Sequence, residues 1–131
     1  MKTINTSSAP AAIGPYSQGI VANGFLFTSG QIPLVPEDMS FIDGAIEEQT
    51  RRVLENLDAV LAVAGTDWNR VVKTTVFMVD LADFGKMNVI YEQHLGNARP
   101  ARSTVQVAEL PRGAKIEIEL IAAVGEKTST C

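Results

Sequence analysis

Apolar and polar residues alternate along this chain with two different periods, and the places where each period starts and stops predict its elements. At 18–22 and 25–29, short apolar-rich runs flank Asn23-Gly24, a pair suited to the positive φ angles of a tight hairpin turn. The stretch 33–44 carries Pro33 and Pro36 among residues of mixed polarity and predicts an irregular loop. Ile46, Thr50, Val53, Leu57, Val60, Leu61 and Ala64 then recur three and four residues apart, which makes one stripe of a helix. Asp43 lies in its cap region, Glu47 and Glu48 suit its first turn, and Gly65 suits its end. The run "VVKTTVFMV" at 71–79 is rich in β-branched residues and nearly uncharged, which predicts a central strand covered on both faces. A second helix over 82–95 places Phe84, Met87, Tyr91 and Leu95 on one side and stops at Gly96. Two further strands, 102–107 and 115–124, read as a pair joined by a short loop, and a short first strand fits 2–5.

The resulting order, β-β-α-β-α-β-β with an optional strand in front, predicts an α+β layer in which two helices pack on one face of a mixed sheet. A chain of 131 residues with 46% apolar content suffices for one domain over 1–131, with 124–131 as a tail. Its apolar runs fall far short of the roughly 20 residues a membrane helix needs. The opening "MKTINTSSAPAA" lacks the apolar centre of a signal peptide. No membrane association and a cytoplasmic location are therefore expected.

Charge and cysteine content narrow the chemistry further. With 11 Lys and Arg against 15 Asp and Glu, the net charge is −4, a poor match for a phosphate-binding surface, and no nucleic-acid partner is expected. The one cysteine, Cys131, excludes an intrachain disulfide and is expected to have no role. The one histidine, His94, cannot build a multi-histidine metal site and reads as a surface or interface residue.

Candidate chemistry concentrates in "RPARSTVQVAELPRGAKIEIELIAA", residues 99–123. Alternation along a strand sets Ser103, Val105 and Val107 against Arg102, Thr104 and Gln106, and Ile116, Ile118 and Leu120 against Lys115, Glu117 and Glu119. If the apolar sets cover the core under the helices, then Arg102, Thr104 and Glu117 share the opposite face with Ile121. That face needs a cover, and a second copy of the chain is the economical one. A guanidinium can hold a carboxylate by two parallel hydrogen bonds, and a nearby glutamate can take a proton from water. The competing reading is an ion pair between Arg102 and Glu117 across a hairpin. Two further segments offer site groups: Tyr16 in "GPYSQG", and Ser29 with the N–H groups of Gly30 and Gln31 in "TSGQIP".

The stretches "IGPYSQGI", "LFTSGQIPL", "LENLDAVLAVAG", "VVKTTVFMVDLADFGKMNVIYEQHLG" and "RPARSTVQVAELPRGAKIEIELIA" together resemble the reactive intermediate deaminase family, RidA or YjgF. The resemblance runs in a single order from about Ile13 to Ala123. It implies a chorismate-mutase-like α+β fold and a homotrimer with three clefts between subunits. It further implies hydrolysis of small 2-imino acids, such as 2-iminobutanoate and 2-iminopropanoate, to 2-keto acids and ammonia, with no cofactor and no metal. By position, Arg102 would hold the substrate carboxylate and Glu117 would position or activate the attacking water. Tyr16, Ser29 and Gly30 would line the cleft, with Phe84 and Asn88 near its wall. Thr104, also in the cleft, stands where many relatives carry cysteine. Three alternatives stay open: a deaminase of another enamine such as 2-aminomuconate, a non-catalytic small-acid-binding or chaperone-like trimer, and, ranked last on charge, a ribonuclease.

Overall fold

The Asn23-Gly24 pair does adopt positive φ, 52° and 80°, and closes a hairpin between β2 (Gly19–Ala22) and β3 (Phe25–Thr28). In the computed structural model, which describes residues 1–125, the short β1 (Lys2–Ile4) adds to the free edge of β2. The expectation for Cys131 lies outside the described residues.

Helix α1 (Ile46–Val63) buries the stripe its spacing predicts, with Val53, Leu57 and Val60 fully covered. Glu47 and Glu48 occupy its first turn and Gly65 (φ 77°) its end. Asp43 is not its cap: Ala45 takes that position without a side-chain bond. A short 3-10 turn, Leu81–Asp83, capped by the Asp80 side chain, precedes α2 (Phe84–Leu95), so the second helix starts later than its pattern suggested. His94 of α2 bonds Asp58 of α1 at 2.8 Å, and the Trp68 Nε1–H donates to the same carboxylate at 2.6 Å. His94 therefore joins the two helices.

The six strands run in the order β1-β2-β3-β6-β4-β5, with β4 at Val71–Met78, β5 at Ala101–Gln106 and β6 at Ile116–Ala123. The pairing of the last two strands is a correction to the sequence reading: β5 and β6 are not a hairpin, because β4 lies between them. β4 pairs antiparallel with β6 and parallel with β5. A parallel neighbour requires a crossover, and α2 supplies it, so β4-α2-β5 is one strand–helix–strand unit. The link from β5 to β6, with its 3-10 turn Pro111–Gly113, then spans the width of β4.

Both helices cover one face of the sheet. Thr74, Val76 and Met78 of β4, with Ile116, Ile118 and Leu120 of β6, are buried beneath them. The other face is only partly covered, contrary to the expectation for β4, and it is apolar in part. Phe25, Phe27 and Val105 stay 40%, 45% and 42% exposed, beside Phe77 and Ile121. No helix among the described residues is long and apolar enough to cross a membrane.

Candidate active site

Arg102 and Thr104 turn toward the helices, because they are the register partners of Thr74 and Val76, both wholly buried under α2. Ser103 and Val105 point away. This inverts the face expected for β5. An edge strand is only half covered, so long or polar side chains can lay their stems on the core and keep their heads at the rim. Val105 meanwhile joins the phenylalanines of the outer face.

Among the described residues the Arg102 guanidinium is held without an ion pair. Its Nη1 donates to Asn88 Oδ1 at 2.7 Å, and its Cζ stands 5.3 Å from the Phe84 ring centre and 4.8 Å from that of Tyr91. Aromatic faces attract a cation while leaving its N–H edge open. Among the described residues the ion pairs are Arg52–Glu55, His94–Asp58 and Arg99–Glu92, and Arg102 is in none. It opens on a cleft of about 340 Å³ that Asn88, Tyr91, Leu95, Pro100 and the ion-paired Glu92 and Arg99 also line. Two residues on, Thr104 Oγ1 is buried with no hydrogen-bond partner among the described residues, which is rare for a buried hydroxyl.

Glu117 lies on the other face of the sheet, as expected. Beside it β3 parts from β6: their ladder ends at Phe27–Ile121 and resumes at a single bridge, Gln31–Ile118. In the gap Thr28 Oγ1 accepts from the Leu120 N–H at 3.0 Å, and Gly30 faces the glutamate. A Cβ at position 30 would stand 2.7 Å from Glu117 Cδ and 2.9 Å from its Cγ, so glycine is what admits the carboxyl group here. Burial, and secondarily the charge of Glu119, pushes the Glu117 pKa above the ordinary glutamate value.

Glu117 shares a pocket of about 330 Å³ with Tyr16, Ser29, Gly30 and Pro111. Tyr16 is half exposed at its mouth and accepts from the Ile13 N–H at 3.4 Å. The Ser29 hydroxyl donates to the Ser17 carbonyl. The Gln31 N–H, expected as a free anion donor, is spent on Ile118 O at 2.9 Å, so of that pair only Gly30 keeps its N–H unengaged among the described residues.

The sequence-derived residues thus fall into two groups on opposite faces of one chain. Arg102, Asn88, Phe84 and Thr104 are on the helix side, and Glu117, Tyr16, Ser29 and Gly30 are on the other. An Arg102–Glu117 ion pair within the chain is absent. Sequence reasoning missed the groups that hold these walls. Gln18, 2% exposed, donates to the carbonyls of Thr6, Ala9 and Pro10 and accepts from the Thr6 N–H. Asn56, fully buried, donates to the Leu34 carbonyl at 2.9 Å. The sequence carries no signal for either, because an amide side chain reads as a surface residue there. Among the described residues no group of three or more His, Cys, Asp or Glu side chains is arranged to hold a metal ion.

Comparison with known proteins bears on this arrangement. The model of the family described as Endoribonuclease L-PSP matches residues 6–124. A RutC family protein of Synechocystis is 52% identical over 124 residues, covering 93% of this chain and 95% of its own. A mouse protein named 2-iminobutanoate/2-iminopropanoate deaminase is 46% identical, covering 95% of this chain and 92% of its own. The crystal structure of Escherichia coli TdcF with bound serine superposes with a TM-score of 0.90 at 42% identity, covering 95% of this chain and 100% of its own. Agreement in both sequence and fold along nearly the whole length makes this chain a member of the Endoribonuclease L-PSP family, to which the RidA reactive intermediate deaminases belong.

Proposed function

We propose that this chain hydrolyses small 2-imino acids to 2-keto acids and ammonia, in clefts formed between copies of a homotrimer. The observation that carries the reading is the state of Arg102: a guanidinium in a cleft, backed by an amide oxygen and two aromatic rings, and in no ion pair among the described residues. A planar cation so left needs an anion from outside, and a carboxylate fits its fork. The name of the mouse relative and the serine bound to TdcF support a small amino-acid-derived acid as that anion.

Glu117 supplies the second half. Its carboxylate takes a proton from water as the oxygen adds to the imine carbon, and passes that proton to the nitrogen to give a neutral carbinolamine. Glu117 then takes the carbinolamine hydroxyl proton as the C–N bond breaks and hands it to the departing nitrogen, so that imine plus water becomes keto acid plus ammonia. The upward shift of the Glu117 pKa brings it nearer the working pH, where a general base and acid is most effective. Because its pocket lies on the opposite sheet face from Arg102, one site draws Arg102 and Thr104 from one copy and Glu117, Gly30 and Tyr16 from the next. The exposed phenylalanines of the outer face suit burial between copies.

The test couples a serine/threonine dehydratase to this protein and follows keto acid formation. The proposal expects it to outpace spontaneous imine hydrolysis in the cytoplasm-like conditions of such an assay. A rate equal to the uncatalysed one would favour the small-acid-binding alternative, and cleavage of added RNA would favour a nuclease. Gly30→Ala adds a structural check. Its methyl group must displace the Glu117 carboxyl, so turnover is expected to fall about 10-fold or more. The protein should stay folded, at a loss of about 1–3 kcal/mol in chemical denaturation.

A further inference from the structure

The guanidinium of Arg102 stands at the sheet edge, yet the group that fixes its tilt is anchored two elements away. Tyr91 packs its ring 4.8 Å from Arg102 Cζ, and its hydroxyl shares a 2.7 Å hydrogen bond with Thr74 Oγ1. Thr74 is fully buried and Tyr91 is 7% exposed. Thr74 is also the register partner of Arg102 across the β4–β5 ladder. For packing alone a phenylalanine would serve, since burying two hydroxyl groups carries a desolvation cost that their single mutual bond only offsets. What the bond adds is position: it fixes the far end of the ring and so its axis, which phenylalanine would leave to packing. Burial also raises the Tyr91 pKa, so the hydroxyl stays neutral and able to bond.

We propose that Tyr91, pinned by Thr74, is a positioning residue for Arg102 and sets the plane in which its fork meets the substrate carboxylate. The Tyr91 ring centre stands 4.8 Å from Cζ, Asn88 holds one Nη, and Arg102 lines the cleft. This inference rests on the reading of Arg102 as the carboxylate-binding group. A fork held in plane makes two parallel bonds at once, whereas a tilted one makes a single bond.

The experiment compares wild type, Tyr91→Phe, Thr74→Val and the double variant, each checked for an intact fold by circular dichroism. Steady-state kinetics on a 2-imino acid are measured with and without Arg102→Lys. Tyr91→Phe is expected to raise KM about 10-fold with kcat nearly unchanged, because carboxylate binding is lost equally from ground and transition states. In the Arg102→Lys background, whose ammonium has no plane to set, the same change is expected to leave KM where it was. The double variant removes both hydroxyls of the pair, so neither is left buried without its partner, and should match Tyr91→Phe, so the test survives if one single variant fails to fold. An unchanged KM in folded Tyr91→Phe, or an equal loss in both backgrounds, would overturn the inference. If Arg102→Ala itself left KM and kcat intact, the carboxylate-binding reading would fail and this inference with it. If Arg102→Ala is damaging while Tyr91→Phe is silent, only this inference fails.

Discussion

Arg102→Ala is expected to lower kcat/KM for 2-imino acids by about 100-fold or more, with the protein still folded and assembled. Hydrogen bonds to a charged group contribute about 1.5–3 kcal/mol each, and a bidentate grip makes two, so a loss of about 3 kcal/mol is a moderate expectation. The fold should tolerate the change because Arg102 sits on an edge strand, in no ion pair among the described residues. Removing it leaves the Asn88 amide at a cleft rim instead of a buried charge without a partner. Arg102→Lys keeps the charge but not the fork, and should fall between wild type and alanine. Initial rates with a freshly generated imine, beside a thermal unfolding curve, measure both halves of the expectation.

Glu117→Gln carries the second large effect, and activity and stability should move in opposite directions. Turnover is expected to drop about 100-fold or more, the usual scale for removing a general base. Stability at neutral pH is expected to equal or exceed that of wild type. The sign follows from the pKa of Glu117, which is raised in the folded chain, first by burial and then by Glu119. Between the unfolded and folded values the native state binds the extra proton, so stability falls as pH rises through that window. Above it, the charged carboxylate in a half-dry pocket is a standing penalty. Glutamine removes the charge, and with it that pH dependence. A melting midpoint for Glu117→Gln clearly below wild type at pH 7 would mean that the carboxylate stabilises the fold and is no tuned catalytic group.

The elements themselves were legible because they rest on local chemistry. The helical stripe from Ile46 to Leu61 and the Asn23-Gly24 turn are each fixed by a few neighbouring residues, and the structure has them where the spacing puts them. What failed was pairing, which is decided between distant segments. Nothing within 102–107 or 115–124 says that β4 will lie between them. The strand–helix–strand order around α2 was the available sign of a parallel neighbour. The face of β5 failed for a different reason. Val105 was assigned to the core as an apolar residue, but this sheet has a second apolar surface carrying Phe25, Phe27 and Phe77, and a one-residue ambiguity then exchanges the two sides.

The candidate site was legible as residues but not as geometry. Arg102 and Asn88 line one cleft and Glu117, Tyr16, Ser29 and Gly30 another, with Phe84 against Arg102, yet no spacing could reveal that the clefts open on opposite faces. Tyr91 was hidden for the opposite reason. It fits the apolar stripe of α2 so well that its ring looks like core, and the Thr74 bond that gives it a second task lies across the sheet. Gln18 and Asn56, which hold the pocket walls, are polar residues that hydropathy assigns to the surface and that the structure buries at 2% and 0% exposure.

If each site takes its guanidinium from one copy and its carboxylate from the next, two inactive variants should repair each other. Arg102→Ala and Glu117→Ala are mixed in equal amounts, dissociated and reassembled. Every mixed trimer then contains one interface with both groups intact, and random assembly should return about a quarter of wild-type activity. A mixture that stays as inactive as its two components, although native mass spectrometry shows mixed trimers, would put both groups in a site within a single chain and contradict the account.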